Sequence, residues 1–122
     1  MGLITGSEVM IAFPSSAASQ AGNLLTTNGA IDSHTAANYL ITKAGVLADT
    51  LAAPTAGTDD GKRIRITSTT ANAHTLTATG LLQCGASATD LATFAAFAGA
   101  GLELQAYNAK WLVLNSVGIT FS

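Results

Sequence analysis

From Tyr39 onward the chain alternates apolar and polar positions in short runs separated by turn residues. In residues 62–68, Ile64 and Ile66 share one face and Arg63, Arg65 and Thr67 the other, the period of a strand with one side buried. Residues 74–79 repeat the pattern, with Leu76 and Ala78 opposite Thr75, Thr77 and Thr79. The clearest pair lies further on: Leu102, Leu104 and Ala106 alternate with Glu103, Gln105 and Tyr107, and after Asn108-Ala109 the alternation resumes with Trp111 and Val113 against Leu112 and Leu114. Asn108 tolerates the positive φ that a type I′ hairpin requires, so a two-residue turn is predicted there, although Ala109 suits its position less well than Gly. Residues 39–42 and 46–52 read as two more strands with a bend at Gly45, and Ile119-Thr120-Phe121 as a short last one.

Other segments are less regular. Residues 80–88 lack a clear period, and Phe94 and Phe97, three apart, fit either a helical turn or a bulged strand. Pro54, Gly57 and Asp59-Asp60-Gly61 crowd turn chemistry into one loop, which reads as a solvated connection. Residues 1–38 sustain neither a period of 2 nor one of 3.6, and read as an irregular N-terminal arm preceding a β-rich domain at 39–122. Strands at roughly ten-residue spacing with turns between them indicate a mainly β fold, a small antiparallel β-sandwich or barrel carrying an extended arm, rather than βαβ units.

Composition changes this picture in one respect. The 122 residues include 24 Ala, 17 Thr, 12 Gly and 9 Ser, about half the chain, and only 10% are charged. An average domain carries about 25% charged residues, so a surface built from this sequence exposes apolar area, and such area marks contacts with other molecules. Five Lys and Arg against seven Asp and Glu leave no positive surplus, which argues against nucleic acid as a partner. The run Val9-Met10-Ile11-Ala12-Phe13 ends at Pro14, far short of the ~20 residues a spanning helix needs, so no membrane partner is expected. Glu8 and the lack of preceding basic residues argue against a signal peptide. Cys84 is the single cysteine, which rules out an intramolecular disulfide and fits synthesis in a reducing cytoplasm.

Candidate chemistry is sparse. Gly85-Ala86-Ser87-Ala88-Thr89 approaches a nucleophile elbow but lacks the closing Gly. His34, His74, Cys84 and the acidic residues show no local spacing of metal ligands, and Asp59-Asp60-Gly61 lacks the alternating ligands and terminal Glu of a calcium loop. No catalytic, cofactor or metal residue is therefore assigned. His74 shares a strand face with Leu76 and Ala78 and is expected to be buried or at an interface, satisfied by a backbone carbonyl. Trp111 is read as core, closing the hairpin against Ile64, Ile66 and Leu104, with an exposed binding anchor as the alternative. Lys62, Arg63 and Arg65 form the one basic cluster, either a solvated edge face or a contact for an acidic partner. With the apolar Met10, Ile11 and Phe13 of the arm, these three are the candidate interface residues.

Three stretches carry a resemblance. Residues 51–66, through Pro54, Gly57 and Asp60-Gly61-Lys62 into the alternating strand, then Ala73-His74-Thr75-Leu76-Thr77-Ala78, then Tyr107-Asn108-Ala109-Lys110-Trp111, resemble a pattern of small virion proteins of tailed bacteriophages, covering about residues 39–122. In that group the last motif has Gly where Ala109 stands. The resemblance implies a non-enzymatic structural protein of the capsid decoration, or cement, type. Such a protein binds the major capsid protein on the outside of the head and stabilises the shell as a homo-oligomer, with a homotrimer expected. The implied alternative is a tail or head fibre module that binds a host receptor.

Overall fold

The computed structural model describes residues 19–20 and 23–122. Among the described residues eleven strands form in chain order: β1 Ser19–Gln20, β2 Leu24–Leu25, β3 Ala30–Ile31, β4 Asn38–Ile41, β5 Ala48–Leu51, β6 Arg63–Ser68, β7 Thr75–Gln83, β8 Ala88–Phe94, β9 Gly101–Tyr107, β10 Lys110–Val117 and β11 Ile119–Phe121. Hydrogen bonding joins nine of them in the order β1-β3-β5-β7-β10-β9-β6-β4-β2, with β8 on β7 and β11 on β8. The described strands curl around one core into a nearly closed, barrel-like sheet with β1 and β2 at the two ends of the strand order. The mainly β fold therefore stands as expected.

Strand direction divides the molecule. In its first part the chain winds alternately between two ladders. β1, β3, β5 and β7 stack in parallel on one side, and β2, β4 and β6 on the other. The antiparallel pairing expected from the sequence holds for β6 with β9, β9 with β10, β7 with β8, and β8 with β11. A parallel pair needs a long crossover. Here each crossover is a strand of the opposite ladder, so no helix is required. The β9–β10 hairpin then bridges the two ladders, with β10 lying parallel to β7 at Trp111–Leu82.

The inward positions fill the core with Leu25, Ile41, Tyr39, Ile66, Leu102, Ile64 and Leu104 from one wall and Leu51, Leu76, Ala78, Leu82, Ala92 and Phe94 from the other, around Trp111. Trp111 is fully buried, which decides for core over an exposed anchor, and its indole Nε1–H donates to the Ala52 carbonyl at 2.9 Å. The arm expectation needs correcting over its described part. Residues 24–31 contribute β2 and β3, and Leu25 and Ile31 belong to the core. Two-residue strands leave no periodicity long enough to detect, which is why this stretch reads as irregular. Residues 80–83, also read as irregular, continue β7 beyond a shift of register between Thr77 and Leu82. Phe94 ends β8 inside the core, whereas Phe97 lies 43% exposed in the following turn, so neither a helical turn nor a bulged strand joins them. There the Phe97 ring takes the space a side chain at Gly118 would need: a Cβ would meet it at 2.5 Å, and φ is +66°.

The predicted hairpin turn forms, with Asn108 at φ 50° and Ala109 at φ 62°. Both residues adopt the left-handed backbone that type I′ demands, so Ala109 carries the steric cost of its Cβ.

Candidate interaction surface

Alternation along β6 buries Ile64 and Ile66 and turns Arg63 and Arg65 outward, as expected. Lys62, just before the strand, is half-buried; its N–H donates to the Asp59 carbonyl and its own carbonyl accepts from Ala106. The cluster is thus held on a rigid wall rather than on a loop. The structure adds a residue that reasoning along the chain missed. Glu103 stands opposite Arg65 across the β6–β9 pair, and its Oε2 lies 3.5 Å from the Arg65 Nη2. Only the register brings the two together, so the single available signal was the outward phase of both positions. Arg63 faces Gln105 in the same register. Met10, Ile11 and Phe13, the other three candidate interface residues, lie outside the described residues.

Around this pair the outer face of β2, β4, β6, β9 and β10 is organised in cross-strand rows. One row runs Leu24, Leu40, Thr67, Gly101, Val117, and the next runs Asn38, Arg65, Glu103, Asn115. Leu24, Leu40 and Val117 are 49, 36 and 54% exposed. Gly101 leaves a shallow depression of about 160 Å³ in the row, lined among others by Arg65, Thr67, Glu103, Asn115 and Val117. Glycine is required there because a Cβ would stand 2.7 Å from the Ile66 carbonyl oxygen. Exposed apolar side chains grouped on a sheet face are the kind of feature that marks contact surfaces.

The polar groups with unusual environments serve the fold. His74 is fully buried and edge-on to the Phe94 ring. Its Nδ1 accepts the Leu47 N–H at 2.9 Å and its Nε2 meets the Thr70 hydroxyl at 2.8 Å. The backbone partner is therefore a donor, not the carbonyl expected from the sequence. Burial, helped by the Lys43 charge, holds its pKa below the ordinary imidazole value and keeps the ring neutral. Asp59 is buried at a corner, where it accepts the Thr55 N–H at 2.7 Å and lies 3.2 Å from the His34 Nε2. The loop is otherwise solvated as expected, with residues 55–58, 60 and 61 exposed, but Asp59 departs from that reading: its carboxylate turns inward and ties the loop together. The Thr55 N–H and the His34 contact pull its pKa down, against a smaller opposing effect of burial.

Asp49 accepts the Gly29 N–H at 2.8 Å through Oδ1, while its buried Oδ2 has no hydrogen-bond partner. Burial pushes its pKa up to about 6, partly offset by the Gly29 N–H and the Lys43 charge. None of these groups lines the depression beside Gly101. Among the described residues no three His, Cys, Asp or Glu side chains come together to hold a metal ion. No helix among them is long and apolar enough to cross a membrane. Cys84 is exposed in the turn between β7 and β8. Searches against protein-family models and against curated proteins match nothing to this chain.

Proposed function

We propose that this chain is a structural protein of a phage virion, a capsid decoration protein that binds the major capsid protein on the outer surface of the head and reinforces the shell as a homo-oligomer. The observation that carries the reading is the apolar row Leu24, Leu40 and Val117, exposed on a rigid sheet face of a protein with only 10% charged residues. The resemblance of residues 51–66, 73–78 and 107–111 to small virion proteins supplies the setting. The mechanism is geometric. Each subunit adds a modest contact to the shell, and a closed array of identical subunits makes many such contacts collectively strong. Arg63, and Arg65 where it is not taken up by Glu103, present positive charge suited to an acidic patch on the shell protein.

The experiment is co-sedimentation of the purified protein with heads that lack it. The decoration reading expects saturable binding at hundreds of copies per head, weakened severalfold by Arg63→Glu. Absence of head binding, or a handful of copies at one vertex or on the tail, overturns it. The parallel winding of β1–β6 favours the second reading, a tail or head fibre module for receptor binding, because parallel rungs can be continued by further rungs.

A further inference from the structure

We infer that the outer face of β2, β4, β6, β9 and β10 is a self-association face on which a second copy of this chain docks about a two-fold axis lying along the strands between β6 and β9. The inference rests on the reading of the chain as an assembly protein and names one of its contacts. Its argument comes from the registers. A two-fold contact sets each residue against a counterpart and that counterpart against it. An axis in the plane of the interface, parallel to the strands and midway between β6 and β9, exchanges the two strands. Thr67 then faces Gly101 of the second copy, Leu40 faces its Val117, Arg65 its Glu103, and Asn38 its Asn115, because these pairs occupy equal distances from the axis along the same cross-strand rows.

Every pairing is complementary. Leu40 and Val117, two of the three exposed aliphatic side chains of the row, meet each other. Thr67 projects over the depression of about 160 Å³ that Gly101 leaves. The Arg65–Glu103 pair, 3.5 Å apart within one copy, becomes a square of alternating charge across two copies, with each guanidinium between two carboxylates. No like charges oppose one another in these rows. A second copy finds its own pattern reflected.

The area suits a weak dimer. The five strands run from two to eight residues, and at about 3.3 Å per residue and 4.8 Å spacing they offer a patch of roughly 430 Å². Two such patches bury on the order of 900 Å², the range of weak and transient contacts, so the dimer forms in a concentration-dependent way. Sheets packed face to face align within about 30°, which the shared strand direction of this arrangement satisfies.

Sedimentation equilibrium of the isolated full chain tests this separately from head binding, because no shell is present. The expected result is a monomer–dimer equilibrium, with Val117→Lys and Leu40→Lys each weakening association at least tenfold while leaving the far-UV circular dichroism unchanged. Arg65→Glu and Glu103→Arg are each expected to weaken self-association, and an equimolar mixture of the two to recover it as a heterodimer. A role of the ion pair confined to one chain predicts no recovery on mixing. A wild-type protein that stays monomeric at all accessible concentrations, a trimer, or a dimer indifferent to all four substitutions overturns the inference.

Discussion

The two halves of the sheet are held by different means. In the parallel winding, β1–β5 are two to four residues long and each contributes few ladder hydrogen bonds. Side chains at its corners supply the rest. Asp49 accepts from Gly29, Asn28 from Ala48, Asp59 from Thr55, and the Tyr39 hydroxyl bonds the Asp32 carbonyl while accepting the Ala36 N–H. The antiparallel half, β7–β10, has strands of seven to nine residues, and its β9–β10 turn combines left-handed backbone at Asn108 and Ala109 with one side-chain contact, the Asn108 N–H donating to Asp60 Oδ1 at 2.9 Å. A short rung cannot satisfy its flanking amides within the ladder, and an unsatisfied buried amide costs ~1–3 kcal/mol. Polar side chains therefore carry structural weight in the first half that packing and ladder hydrogen bonds carry in the second.

Trp111 joins the halves, since it sits on β10 and donates to the Ala52 carbonyl at the end of β5. Trp111→Ala should produce the largest loss, about 3–5 kcal/mol of unfolding free energy by urea titration. A loss below about 1 kcal/mol would show that the halves do not share one core.

Asp49 sharpens the contrast through pH. Its folded pKa, about 6, lies above the ordinary 3.8. The protonated carboxyl is thus favoured by folding: its contribution is complete below about pH 4 and is lost as the pH rises through about 6. At 1.36 kcal/mol per pKa unit the full effect is on the order of 2–3 kcal/mol. Asn at this position retains the acceptor for Gly29 and cannot ionise. The stability of Asp49→Asn relative to wild type should therefore rise by about that amount between pH 4 and pH 8. Taking the difference between the two proteins removes the opposing trend of His74, whose lowered pKa costs stability as the pH falls below the ordinary imidazole value. A difference independent of pH would mean that the Asp49 carboxylate is solvated in the folded protein.

The smallest effect is expected at Ala109 in the hairpin, where the change touches only the backbone conformation. Ala109→Gly relieves a Cβ held at φ 62° and should raise the thermal midpoint, with a gain of about 1 kcal/mol. A loss instead would show that Ala109 is stabilised by packing rather than strained.

The strands of the second half were legible because their alternation is long. The outward phase of Arg63 and Arg65 followed from it directly, whereas both faces of the Trp111 strand are apolar and the core reading of Trp111 rested on the tendency of large aromatic rings to fill small cores. Leu25 and Ile31 were not legible as core, because a two-residue rung has no period. Asp59 looked like a turn residue, since a carboxylate that ties a corner and one that faces water have the same local sequence. Arg65–Glu103 and the row from Leu24 to Val117 were invisible for another reason: they join residues up to 93 positions apart, and adjacency across strands is a property of register.

Sequence by itself determined which side of each long strand is apolar, where the Asn108–Ala109 hairpin turns, and how few charges the surface carries. Tertiary structure alone decided that consecutive strands cross between two ladders instead of folding back on their neighbours, and thereby which outward side chains share a row. The physical reason is that alternation is local to one strand, whereas pairing direction and register depend on where a whole strand buries its apolar face.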